Sequence, residues 1–265
     1  MTHRNVDYNY FQESNPEWLD ADFDFSKRND PDKNCGSLYA DLIHRFFPEN
    51  RNENIKKVEH SNNGDNQHYI VINDTIYLTS DYIGPSVNWA KKIGNCNDLE
   101  IKDILKISRT IGGHLTWPVF IGKPTINTAR GGSNGVFDRI DWTLLLLKIY
   151  YDLHIGKNQT YTYFDYFFQA LKSKFDCQVK RRTRRNDYAK LDDIYPAFVK
   201  SHIYLNLFKS FEGFCDFFKL IGNFVDENYK VIELAPYLPV KPTPENYKEY
   251  IRKSICAIIK RNKAL

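Results

Sequence analysis

The chain has 265 residues, 42% hydrophobic and 26% charged, so it is long enough to bury a core without a disulfide or metal staple. A net charge of +4 permits an anionic partner without demanding one. The cysteines (Cys35, Cys96, Cys177, Cys215 and Cys256) are odd in number, form no Cys-x-x-Cys pair and have no histidine at zinc-ligand spacing, which argues against a disulfide framework or a zinc module.

The N-terminal MTHRNVDYNYF lacks the apolar stretch of a signal peptide, and the longest apolar run, Trp142 to Leu147, is too short to span a membrane. Reduced thiols, a cytoplasmic location and no membrane partner are therefore expected. With 18 Tyr, 18 Phe and a single Met, much of the core is expected to be aromatic.

In chain order, residues 1–35 read as a polar, Asn- and Asp-rich arm, followed by a helix from Ser37 to Phe47. Ile55–His60, Tyr69–Ile72 and Thr75–Leu78 are short β-prone runs, with Asn73-Asp74 as a hairpin turn. Ile70, Ile72, Ile76 and Leu78 alternate, which predicts one buried face for this sheet. Helices are expected at 85–93 and 98–110, the second carrying a stripe of Leu99, Ile101, Ile104, Leu105 and Ile107. Gly112-Gly113 ends it. Leu115–Ile121 reads as a buried strand and Thr125–Ala129 as a second extended piece. Asp138–Leu153 is the strongest helix, and helices follow at 162–175, 190–208 and 211–225. Phe211, Phe214, Phe217 and Phe218 are helix-spaced core residues. Tyr229–Leu234 is expected as a strand. A final helix starts at Pro244, capped by Thr243, and runs to about Asn262, with Lys260, Arg261 and Lys263 where its dipole favours cations.

The densest chemistry lies between Gly112 and Thr143. A glycine-rich turn, Arg130-Gly131-Gly132-Ser-Asn-Gly, follows Asn127 and feeds a helix that opens with Asp138, Arg139 and Asp141. Glycines let backbone N–H groups approach a ligand, and a helix start offers unpaired N–H groups to an anion. Arg130 adds a fork suited to phosphate or carboxylate. Asp138 and Asp141 would repel a bare phosphate unless a metal bridges them, and a capping box with Asp for Glu explains them equally well. On a helical wheel Asp138, Asp141, Lys148 and Asp152 form a polar stripe. Arg139 and Thr143 fall on the apolar side, where a guanidinium must find a carboxylate or a ligand. Asp138, Asp141 and His114 are the candidate acid/base groups. Asn127, Arg130, Gly131, Gly132 and Arg139 are the candidate ligand-binding residues.

His114 opens a His-x-Thr with Thr116. One phosphoesterase class needs two such motifs, and His202 is followed by Ile-Tyr, so no second copy exists. Lys180, Arg181, Arg182, Arg184 and Arg185 form the sharpest charge run, a candidate nucleic-acid contact that is as readily a solvated loop. Asp30-x-Asp32-x-Asn34 lacks the glycine a calcium loop needs at its sixth place.

Several of these residues also form a recognisable order. Gly112-Gly113…Pro118, Thr125-Ile-Asn…Ala129-Arg130-Gly131 and Asp138-Arg139…Asp141…Thr143-Leu144 resemble an uncharacterised bacterial family, known only as a domain of unknown function. Asp22-Phe-Asp-Phe with Asp30-Pro-Asp32, Ser80-Asp81, Phe211-Glu-Gly-Phe and Glu249-Tyr250…Arg252…Arg261-Asn262 extend the resemblance over roughly residues 20–265. It implies a bacterial or phage, cytoplasmic origin and lends no mechanism. His114 and the basic run lie outside its pattern.

The expected architecture is α+β and helix-dominated, with a small antiparallel sheet in the N-terminal half: an arm at 1–35 and a single domain at 36–265. The leading functional reading is binding or processing of a phosphate-bearing ligand, a nucleotide or nucleic acid, through the central stretch. The alternatives are a non-catalytic interaction protein of a bacterial or phage conflict system, with a protein partner, and a nucleic-acid module led by 180–185. No cofactor is specified by the residues.

Overall fold

The alternating runs of the N-terminal half pair into a sheet. Strands β1 (Ile55–Asn62), β2 (Asp65–Ile72), β3 (Ile76–Tyr82) and β4 (His114–Val119) lie in that order, each antiparallel to its neighbour. The computed structural model describes residues 55–62, 65–72, 76–108, 110–119, 140–155, 198–234 and 243–265. The arm at 1–35, the helix at Ser37–Phe47, the extended piece at 125–129 and the helix at 162–175 lie outside them.

Leu78 stands opposite Ile70 and Pro118, and Tyr82 opposite His114. Pro118 has no N–H to give, which suits β4, at the end of the described strand order. The single buried face needs correction. Leu78 is buried on the Ile70 face, but Val71, on the other face, is buried too. Trp117 and Leu115 share the Val71 face by register. There Trp117 stacks on Phe214, ring centroids 6.0 Å apart.

Helix α1 (Val87–Lys92) leads to α2 (Asp98–Ser108). The start of α2 is a capping box: Glu100 N–H donates to Asn97 Oδ1 at 3.0 Å and Asn97 N–H to Glu100 Oε2 at 2.8 Å. Helix α2 buries Ile101 and Ile104, but Leu99, expected in the same stripe, is 69% exposed. At the first turn the capping geometry sets which side faces in. A 3-10 turn, Ile111–Gly113, joins α2 to β4. A side chain at Gly113 would strike the Ser108 carbonyl, so the chain can fold back this tightly only with glycine there.

Helix α3 (Ile140–His154) is the spine of the core. Every residue from Ile140 to Leu147 is buried, Asp141 and Thr143 included, so the expected solvent stripe through Asp141 does not exist. Helices α4 (His202–Leu207) and α5 (Phe211–Phe217) pack beside it. Tyr151 donates its hydroxyl to the Leu205 carbonyl at 2.7 Å, and Phe208, Phe214, Phe217 and Phe218 form one aromatic cluster.

The helix expected over 211–225 stops at Phe217, and Tyr229–Leu234 is no strand. Lys219 takes the left-handed conformation (φ 51°), and Gly222 does the same (φ 75°). Beyond them short polar side chains capture the backbone. Asn223 Oδ1 accepts from Phe224 N–H, and Asp226 Oδ1 accepts from the N–H groups of Asn228 and Lys230. Such local bonds compete with helix and ladder alike. Only isolated bridges, Ile221 with Val225 and Val225 with Val231, remain.

The closing helix α6 (Pro244–Ala264) has Thr243 accepting from Asn246 N–H at 3.3 Å and proline in its first turn. Its inner stripe runs Tyr247, Tyr250, Ile251, Ser254, Ala257, Ile258 and ends in Arg261 and Asn262. Arg261 does lie in the last turn, where the dipole favours a cation, and it is fully buried. Among the described residues, no helix is long and apolar enough to cross a membrane.

Candidate functional site

The described structure reaches both ends of the Gly112–Thr143 stretch. At the front end, the turn that starts β4 is gripped from the last turns of α6. Arg261 Nη1 donates to the carbonyls of Gly112 (2.8 Å) and His114 (2.7 Å), and Nε donates to the Phe218 carbonyl at 2.8 Å. Asn262 Oδ1 accepts the Gly112 N–H at 2.7 Å, while its Nδ2 donates to Thr110 Oγ1 at 2.7 Å. Residues 110, 112 and 114 are thus held by neighbouring side chains about 150 positions further along.

His114, a candidate acid/base residue, is 1% exposed at the first position of β4. Its Nδ1 lies 2.9 Å from the Thr110 carbonyl oxygen. A carbonyl only accepts, so Nδ1 carries a proton. Thr110 is itself fixed, donating its hydroxyl to the Ile107 carbonyl at 2.7 Å. Two residues on, Thr116 shares the face of β4 with His114. Its hydroxyl is buried and has no hydrogen-bond partner among the described residues, while its carbonyl accepts from Tyr204 Oη at 2.8 Å.

At the back end, Asp141 lies in the first turn of α3 and is fully buried. Its Oδ1 accepts the Trp142 N–H at 2.9 Å and its Oδ2 the Leu234 N–H at 2.8 Å. The carboxylate therefore serves its own helix start and also ties in a segment 93 residues away. Thr143, four positions from Arg139, is buried as well. His114 and Asp141 are thus held by different parts of the chain, one by α6 and the other by Leu234.

Asn127, Arg130, Gly131, Gly132, Asp138 and Arg139 lie outside the described residues, as do Lys180, Arg181, Arg182, Arg184 and Arg185. Among the described residues, no group of three or more His, Cys, Asp or Glu side chains is arranged to hold a metal.

Sequence reasoning passed over the clamp residues. Arg261 reads as one of three cations at a helix end, with Lys260 and Lys263, and only its place in the stripe Tyr247, Tyr250, Ile251, Ser254, Ile258 signals burial. It also passed over Tyr150 and His202. The buried Tyr150 hydroxyl lies 3.0 Å from Nδ1 of the half-buried His202, whose pKa burial lowers from its ordinary value of 6.5.

No curated protein and no solved structure matches the chain. A sequence model of a family of unknown function (DUF6994) matches residues 18–181 and 181–265, and the chain belongs to that family.

Proposed function

We propose that this protein binds a phosphate-bearing ligand, a nucleotide or nucleic acid, through the stretch between Gly112 and Thr143. In this reading Arg130 and Arg139 clamp phosphate, and Asn127, Gly131 and Gly132 line it with amide donors. Asp138 and His114 act as acid/base groups, with Asp141 holding the start of α3. The observation that carries it is the anchoring of both flanks by fully buried charged residues, Arg261 in front and Asp141 behind, each bonded to backbone. Burying a charge is costly. Placing two of them at the ends of one Arg- and Gly-rich stretch suits a segment whose ligand groups must be held to fractions of an ångström.

The test is thermal unfolding of the full chain with inorganic phosphate, pyrophosphate, ATP, GTP and a short single-stranded RNA, each with and without Mg2+ or Mn2+. A ligand at a hundred times its Kd adds about 2.7 kcal/mol of stability. A shift that disappears in Arg130→Ala and Arg139→Ala supports the reading. No shift with any probe would sink it and leave the non-catalytic interaction protein as the better account.

A further inference from the structure

The C-terminal half of α6 carries charge of one sign. No Asp or Glu lies between Tyr250 and Leu265, whereas Arg252, Lys253, Lys260, Arg261 and Lys263 do. Arg261 is buried and bonded to backbone carbonyls. The other four are exposed. Arg252, Cys256, Lys260 and Lys263 follow at helical spacing and share one face, a stripe about 16 Å long at the rise of an α-helix. Local structure accounts for only part of this charge. Glu249 pairs with Arg252 at 2.7 Å and with Lys253 at 3.8 Å, so one carboxylate meets two cations. Lys260 and Lys263 make no ion pair among the described residues. The helix dipole favours a cation at Lys263, but its effect fades within the last turn and does not reach Arg252 or Lys253.

The rest of the helix selects among polyanions. Tyr247, Tyr250, Ile251, Ala257 and Ile258 are buried against the protein, so α6 has no free apolar face to lay into a bilayer. Tyr247 and Tyr250 are also its only aromatic residues, which leaves the stripe without a ring on which single-stranded bases could stack. Cations repeated along one exposed helix face suit the closely repeated phosphates of a duplex, about one charge per 1.7 Å of axis. We propose that the face of α6 from Arg252 to Lys263 binds the phosphate backbone of a nucleic-acid duplex. Contacts of this kind position a duplex without reading its bases. The surface is separate from the stretch between Gly112 and Thr143, and the proposal does not rest on the function proposed for that stretch.

The test is fluorescence anisotropy of short labelled DNA and RNA duplexes with the full chain over a salt series. The wild type is expected to bind at least one of the two at about 50 mM salt, with log affinity falling linearly against log salt. Lys260→Gln and Lys263→Gln, both at exposed positions, are each expected to make that slope shallower by about 0.9, and the double variant by about twice as much. A second readout places the duplex on the helix. Cys256 lies on the stripe between Arg252 and Lys260 and is exposed. Saturating duplex is expected to slow its alkylation by iodoacetamide and to leave Cys96 at its own rate.

Binding of neither duplex at low salt overturns the proposal, as does binding to phosphatidylserine vesicles in place of duplex. Duplex binding whose salt slope is unchanged in both lysine variants, with Cys256 labelled at its free rate, overturns it too. That result would put the duplex elsewhere, on Lys180 to Arg185 or, where Arg130→Ala abolishes it, on the central stretch. A nucleotide-induced thermal shift that depends on Arg130, without any duplex binding, would leave the function proposed above standing while this surface falls.

Discussion

Asn262 accepts the N–H of Gly112 at 2.7 Å across 150 residues of sequence, and the same asparagine leaves no room for a side chain there. A Cβ at Gly112 would lie 2.8 Å from Asn262 Cγ and 2.9 Å from its backbone nitrogen. Gly112→Ala is therefore expected to cost about 1–3 kcal/mol, as overpacking does. Asn262→Ala leaves the Gly112 N–H buried without its acceptor and is expected to cost a similar ~1–3 kcal/mol. The two residues touch, so their effects are not additive: the double variant is expected to lose less than the sum. Urea denaturation of the three variants measures this, and simple additivity would mean that the contact is not made.

Asp141 leads to a second prediction. Both of its oxygens accept from backbone N–H groups, Trp142 and Leu234. Asp141→Asn keeps the shape but offers one oxygen and one NH2, so a donor must face a donor. Charge-assisted bonds of this kind contribute about 1.5–3 kcal/mol each, and a loss of ~2–3 kcal/mol is expected. Asp152→Asn, at an exposed position of the same helix, is expected to lose less than Asp141→Asn. Equal, small effects at both positions in chemical denaturation would rule out the anchor.

These two anchors mark the limit of what the sequence makes legible. Local rules act over a few residues, so the capping of α6 by Thr243 and the core role of Phe211, Phe214, Phe217 and Phe218 follow from spacing and propensity alone. The burial of Asp141 does not. A wheel places it with Lys148 and Asp152, and the Leu234 N–H that its Oδ2 accepts comes from 93 residues away, beyond the reach of any local pattern. Arg261 misleads for the same reason: its partners are carbonyls at 112, 114 and 218, and no local pattern announces them. The turn region after Phe217 fails differently. Its apolar residues suggest a helix and then a strand, but the side chains of Asn223 and Asp226 take the backbone bonds first.

Thiol chemistry gives a third prediction. Cys256 is exposed on α6 and Cys96 is partly covered, while Cys215 lies inside the aromatic cluster. Burial, and then the Glu100 charge, pushes the Cys96 thiol pKa up. Burial pushes that of Cys215 much further. The thiolate is the reactive form. Of these three described cysteines, iodoacetamide on the native protein is expected to label Cys256 before Cys96, and Cys215 only as the chain unfolds. Peptide mass spectrometry over time gives the order, and native labelling of Cys215 at the rate of Cys256 would contradict the packing of α5.

A pH dependence follows from Tyr150 and His202. Nδ1 of His202 lies 3.0 Å from the Tyr150 hydroxyl, within hydrogen-bond distance. Burial lowers the His202 pKa below its ordinary 6.5, so the folded state resists protonating a ring that the unfolded chain protonates readily. Wherever the unfolded state binds more protons, stability rises with pH. The contribution of His202 is therefore complete above pH 6.5 and declines as pH falls below it, towards the lowered folded value. His202→Gln, which cannot titrate, is expected to flatten this part of the stability profile and to leave its slope above neutrality as it is. Denaturant midpoints for wild type and variant between pH 5 and 8 measure it, since His titrates in about that window. If the two profiles stay parallel throughout, His202 is not the group that gives the fold its acid sensitivity.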